Sequence, residues 1–220
     1  MAALQLLGIE QLFYVVAPCH TPPQAHTPPR PTADSRLNQV RIIGGQHRGR
    51  RLTFPDLPGL RPTGDRIRET LFNWLQPLLP GARCLDLFAG SGALGLEAAS
   101  RGAGEVLLLD QSPQVVQQLQ GHIAGLGLNQ AKAVQADALG WLQAAPPKCA
   151  FDIVFIDPPF GAGLLQPCCQ QLASSGLLAE NARVYLETDV VESLPFFSRE
   201  WQILREKRSG QVAYYLLACP

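Results

Sequence analysis

Lysine is nearly absent from this chain: three residues against fifteen arginines in 220. The imbalance points away from a generic solvated surface and toward forked contacts to phosphate and stacking on bases, which the planar guanidinium makes and the ammonium does not. Cysteine pairing is also missing. The six cysteines, Cys19, Cys84, Cys149, Cys168, Cys169 and Cys219, have no C-x-x-C spacing, and three sit in or beside apolar runs, so buried reduced thiols are expected rather than disulfides. His20, His26, His47 and His122 are scattered, with no zinc-like cluster, and no metal is expected. No internal repeat is visible. The one apolar opening, Leu4 to Ala17, is too short to span a bilayer, is interrupted by Glu10, and lacks the basic residues that would precede a signal-peptide core. The expected location is therefore the cytoplasm, with no membrane partner.

What is present is segregated charge. The formal net charge is zero, yet residues 41–68 hold seven arginines (Arg41, Arg48, Arg50, Arg51, Arg61, Arg66, Arg68) against only Asp56 and Asp65. Such a patch is the electrostatic footprint of a nucleic-acid backbone. An ordinary solvated face is the alternative. Arg48 and Arg50 are assigned to contact with that backbone.

Residues 1–38, with a Pro/Thr/His segment from Pro18 to Pro31, are expected to form a disordered extension without a catalytic role, an upstream start codon being one origin for it. Residues 39–63 read as a basic hairpin and linker, and residues 64–220 as the catalytic domain. Gln39–Gly44 and Arg50–Phe54 alternate as two short strands around glycines, predicting a hairpin that projects from the domain. A helix is predicted over about Asp65–Leu79, with Thr63 as its cap and Ile67, Leu71, Trp74, Leu75 and Leu78 on one face.

Strand and helix then alternate, which argues for an α/β, doubly wound, mostly parallel sheet. Strands are predicted at Arg83–Leu87, Glu105–Asp110, Ala131–Gln135, Ile153–Asp157 and Arg183–Glu187. Helices are predicted at Gly92–Arg101, Pro113–Gly125, Ala138–Ala144 and Gly163–Ser174. Trp201–Lys207 and Gln211–Ala218 lie too close together for a crossover helix and predict an antiparallel C-terminal hairpin. Trp74 and Trp141 read as packing aromatics, and alternation places one of Tyr214 and Tyr215 inward.

Asp157-Pro158-Pro159-Phe160 follows the apolar run Ile153–Ile156, where a buried strand ends and open α/β sheets carry their chemistry. Asp157 and the Pro158 carbonyl can each accept one N–H of an exocyclic amine, and Phe160 can stack on the ring that bears it. Pro159 joins the substrate-facing set. By itself the segment also fits a plain strand terminator.

A second motif shifts that balance. Gly90, Gly92 and Gly95 match the dinucleotide-type glycine fingerprint, with Phe88 and Ala89 leading into it, and Asp110 stands 20 residues beyond Gly90 to accept ribose hydroxyls. The glycines alone do not separate a nicotinamide cofactor from S-adenosylmethionine. Asp86 does, because it would face an ammonium well and a pyrophosphate badly. Asp137 is placed to accept from an adenine amino group while Ala138 offers its backbone N–H. Asp137 is equally suited to cap the helix that begins at Ala138.

Five segments together, RIIGGQHRGRRL (41–52), LRPTGDRIRETLFN (60–73), DLFAGSGALGLE (86–97), FIDPPF (155–160) and GQVAY (210–214), resemble the bacterial 16S rRNA guanine-N2 methyltransferases of the RsmD type, over essentially residues 39–217. The resemblance implies a Rossmann-like class I methyltransferase, monomeric, using S-adenosylmethionine on one guanine of small-subunit rRNA, free or in an assembling subunit. It further implies that residues 60–73 help close the cofactor site and guide the target nucleotide, which adds Arg61, Thr63, Asp65 and Arg68, and Arg41 beside them, to the substrate-binding candidates. A DNA adenine or another RNA base is the alternative substrate.

Overall fold

A computed structural model describes residues 38–57, 62–144, 150–192 and 201–219. Within the first of these spans, β1 (Asn38–Arg41) and β2 (Arg51–Phe54) pair antiparallel, with Val40 opposite Leu52. Val40, Ile42, Leu52 and Phe54 all join the main core, so this hairpin does not project: its apolar side is buried in the domain. Gly45, at φ +74°, lets the hairpin turn pass so close to a following helix that an added Cβ would collide with the Ser100 carbonyl.

Helix α1 (Asp65–Leu75) follows. It stops one turn short of the predicted end because the backbone tightens into turns at Leu78 and Leu79 before Gly81. Gly64, not Thr63, holds the N-cap position, and no side chain caps it. The Thr63 hydroxyl is engaged elsewhere, as described below.

The central sheet is built from β3 (Arg83–Asp86), β4 (Glu105–Asp110), β5 (Ala131–Gln135), β6 (Phe151–Ile156), β7 (Leu178–Asp189), β8 (Gln202–Ser209) and β9 (Val212–Ala218), interleaved with α2 (Gly95–Ser100), α3 (Pro113–Leu126), α4 (Ala138–Ala144) and α5 (Leu165–Ser174). Strand order is β5-β4-β3-β6-β7-β9-β8, parallel from β5 through β7, with β9 antiparallel to both β7 and β8. This is the doubly wound, Rossmann-like sheet with an antiparallel C-terminal hairpin. The chain winds outward from β3 to β5, then returns to lay β6 against the other edge of β3. That reversal opens a crevice at the carboxyl ends of β3 and β6.

Local chemistry sets these boundaries. Ser112 accepts from the Val115 N–H, Pro113 supplies the first-turn geometry of α3, and Gly127 closes the helix at φ +65°. Helix α2 begins at Gly95 rather than Gly92, because residues 90–94 form a turn.

Both faces of the sheet are covered. Tyr214 therefore lies in one hydrophobic layer and Tyr215 in the other, and both are buried, against the expectation of one. Trp74 packs on Tyr214 with ring centres 5.7 Å apart, and Trp141 on Phe151 at 6.4 Å. Cys84, Cys168, Cys169 and Cys219 are free and buried, and burial pushes the thiols of Cys84, Cys168 and Cys219 up to about 12. No helix among the described residues is long and apolar enough to cross a membrane.

Candidate active site

Three strand-end acids converge on one cavity of about 450 Å³ at the carboxyl edge of the sheet. Asp86 ends β3 and is buried. Its Oδ2 accepts the Gly95 N–H at 2.9 Å, while its Oδ1 has no hydrogen-bond partner among the described residues. Burial pushes this carboxyl up to about 7, against the Gly95 and Phe88 N–H groups, which act to lower it. A buried acceptor without a donor is costly and points to a donor that arrives with a ligand.

Asp110 ends β4 and lies across the glycine loop. Its two oxygens accept from Ser112 N (2.8 Å) and Gly90 N (3.0 Å), which fixes the carboxylate and leaves a lone pair on each oxygen for another donor. Burial raises its pKa, partly offset by these two bonds. Phe88, Ala89, Gly90, Asp137 and Ala138 line the same cavity. Asp137 also accepts the Gly140 N–H at 2.8 Å, so it caps α4 as well as facing the cavity. Gly92 does not line the cavity. Its φ of +77° and the Leu96 and Leu119 side chains that an added Cβ would strike make it a turn and packing residue instead.

At the other end of the cavity Asp157 follows β6. Pro158 beside it is buried, whereas Pro159 and Phe160 are exposed, Phe160 at 43% of its surface at the mouth. The Thr63 hydroxyl donates to Asp157 Oδ2 at 2.9 Å, so the linker before α1 is tied to the end of β6. Burial raises the Asp157 carboxyl well above the ordinary range, and the neighbouring Glu187 raises it further. The backbone after Phe160 is braced from the segment that follows β7. Glu192 accepts the Gly161 N–H at 2.7 Å and the Thr188 hydroxyl at 2.8 Å.

Glu187 belongs to the cavity and is missing from the sequence-predicted site. It follows the apolar run Val184-Tyr185-Leu186 at the end of the predicted strand Arg183–Glu187, so the signal that singles out the other strand-end acids is present for it too.

The arginines separate into two kinds. Arg41, Arg48, Arg50, Arg51 and Arg66 are exposed, Arg41 reaching Asp65 at 3.5 Å. Arg68, expected at the substrate, is 1% exposed: it donates to the Arg41 and Thr63 carbonyls and pairs with Asp65 and, at 3.5 Å, with buried Glu97. Glu97 also binds Arg101 and the Ile43 N–H, so this network ties the hairpin, α1 and α2 together. Asp65, bound to Arg41 and Arg68, does not line the cavity. Arg61 lies outside the described residues.

A family model described as "Conserved hypothetical protein 95" matches residues 40–218. The ribosomal RNA small subunit methyltransferase D of Escherichia coli strain K12 is 51% identical over 182 residues, 83% of this chain and 91% of that protein. The chain belongs to the methyltransferase D family. The Haemophilus influenzae methyltransferase D is 42% identical over 81% of this chain and 93% of its own length. A solved structure titled a putative methyltransferase from Escherichia coli superposes with a TM-score of 0.76 at 46% identity, covering 83% of this chain and 98% of the other. A solved structure titled a putative methyltransferase complexed with SAH superposes with a TM-score of 0.64 over 83% of this chain and 56% of its own, and at 17% identity it shows the shared fold. For a methyltransferase D family member the cavity is of the right kind: its volume lies in the range of small-ligand pockets, and its inner wall offers an unpartnered buried carboxylate oxygen where a cationic group would be held.

Proposed function

We propose that this protein transfers a methyl group from S-adenosylmethionine to the exocyclic N2 amino group of one guanine in 16S rRNA, acting as a monomer in the cytoplasm on the small subunit or its assembly intermediate. Membership of the family supports the rRNA substrate. The observation that carries the chemistry is the shared cavity. Asp86 on β3 and Asp157 after β6 stand at the tips of hydrogen-bonded neighbours, with Asp86 in register with Phe155.

When bound, the cofactor supplies a methyl group already activated by a sulfonium. Asp86 Oδ1 would receive its ammonium, Asp110 its ribose hydroxyls, and Asp137 with the Ala138 N–H its adenine edge. The protein's remaining task is proximity and alignment. Asp157, with Oδ2 held by Thr63, offers its other oxygen to one N–H of the guanine amine, and the Pro158 carbonyl takes the second. Together they turn the nitrogen lone pair out of conjugation and toward the methyl carbon. Phe160 and Pro159 at the mouth stack against a base drawn out of its helix, since a stacked base cannot present its amine in line. The exposed arginines Arg41, Arg48 and Arg50 contact phosphates, and Arg61 belongs with them.

Tritiated methyl transfer to small subunits, free 16S rRNA and duplex DNA, followed by mass-spectrometric mapping of the product nucleoside, tests the proposal. N2-methylguanosine at one rRNA position is expected, and label on DNA adenine would overturn it. Asp157→Ala should lower turnover by at least about a hundredfold while cofactor affinity by calorimetry stays within a few-fold. A mutant with ordinary turnover would remove Asp157 from the role.

A further inference from the structure

Two carboxylates, not one, close the amine end of the cavity. Strands β6 and β7 pair in parallel as far as Ile156 opposite Leu186, and Asp157 and Glu187 are the next residue of each chain segment. Both line the cavity. Thr63 donates to Asp157, and the buried Tyr185 hydroxyl donates to Glu187 Oε2 at 2.8 Å. None of the ion pairs among the described residues includes either acid. The other titratable groups around the pair are Asp86 on β3, Tyr185 on β7 and Tyr214 on β9, the last in register with Glu187. All are acids, so among the described residues no cation is paired with either carboxylate.

We propose that Glu187 is a positioning residue that acts through Asp157: its charge beside Asp157 strengthens the hold of that carboxylate on the proton released on methylation. This rests on the amine-methylation reading above. In that step the nitrogen lone pair bonds to the methyl carbon as the carbon–sulfur bond breaks onto sulfur, and the sulfonium becomes a neutral thioether. The nitrogen, now positively charged, loses one N–H proton to the Asp157 carboxylate, which becomes neutral. A general base works best with a proton affinity close to the operating pH. Burial and Glu187 both move Asp157 in that direction, and burial moves Glu187 the same way. Such a pair titrates as a unit, its last proton leaving late because two adjacent negative charges repel.

The test is a carboxyl-carbon NMR titration of the full chain, wild type against Glu187→Gln, paired with single-turnover methyl transfer across the same pH range. Removing the Glu187 charge should lower the Asp157 titration by about one pH unit or more, and the acidic limb of the transfer rate should move down with it. An Asp157 titration that stays put or rises overturns the inference. Should Glu187→Gln fail to fold, Tyr185→Phe decides: losing the hydroxyl bond should move Glu187 up and Asp157 down, and an unmoved Asp157 overturns the inference equally. The titration needs no RNA. A wild type that transfers no methyl to rRNA therefore defeats the functional reading alone, while a normal transfer with an unmoved titration defeats only the role of Glu187.

Discussion

Asp86 shows how much a single side chain can reveal. It is buried beside the glycine loop with one oxygen bound to Gly95 and the other unpartnered, and burial lifts its carboxyl to about 7. An acid whose folded-state pKa is raised contributes stability that is complete below its unfolded value, near 4, and lost as pH rises through about 7. The ligand-free protein should accordingly lose a few kcal/mol between those limits. Asp86→Asn should remove most of that loss, raising the melting temperature at pH 8 with little change at pH 4, while weakening cofactor binding. Calorimetric melts at the two pH values check it. The strand-end acids Asp86, Asp110 and Asp157 were legible because a carboxylate after an apolar run has few structural uses. Arg68 was misplaced among surface arginines, although its spacing from Leu71, Phe72 and Leu75 puts it on the buried face of α1. An arginine on an apolar helical face signals a buried ion network, and that signal outweighs membership in a basic run.

At the scale of elements, the β1–β2 hairpin is joined to the domain by polar as well as apolar contacts. The Ile43 N–H donates to Glu97, the His47 N–H to Ser100 Oγ, and Gln118 and His122 of α3 reach Thr53. Alternation made both strands visible, but what they pack against depends on contacts more than 50 residues away in sequence, which no local pattern encodes. Arg68→Met removes one cation from Glu97 and the donors from two carbonyls. It should cost roughly 3–5 kcal/mol in urea unfolding, with the hairpin amides losing hydrogen-exchange protection first. The opposite surface of the hairpin is free to act in binding. Replacing Arg48 and Arg50 with Ala should leave the melting temperature unchanged, weaken RNA affinity, and reduce the log–log salt slope by roughly one per arginine. An unchanged slope would take these two residues out of the RNA interface.

For the molecule as a whole, alternating strands and helices announced the doubly wound sheet, and the short Gly210 turn announced the terminal hairpin. The insertion of β9 between β7 and β8 was not legible, because strand order depends on which edge a hairpin meets and both edges offer the same backbone groups. The matched family region, residues 40–218, coincides with the body that contains every cavity residue described. A chain beginning at Asn38 should therefore fold and transfer methyl groups at the wild-type single-turnover rate, as measured on the same RNA. A large loss would give residues 1–37 a function that the sequence reading denies them. The parallel pairing of β3 with β6 carries a further consequence. Under the proposed function donor and acceptor are each mounted at the end of a strand, and the two strands are fastened to each other by backbone hydrogen bonds whose spacing no side chain alters. The gap across which the methyl must pass is thus gauged by the backbone itself, and loops above it are free to diverge toward new nucleotides without detuning the jump.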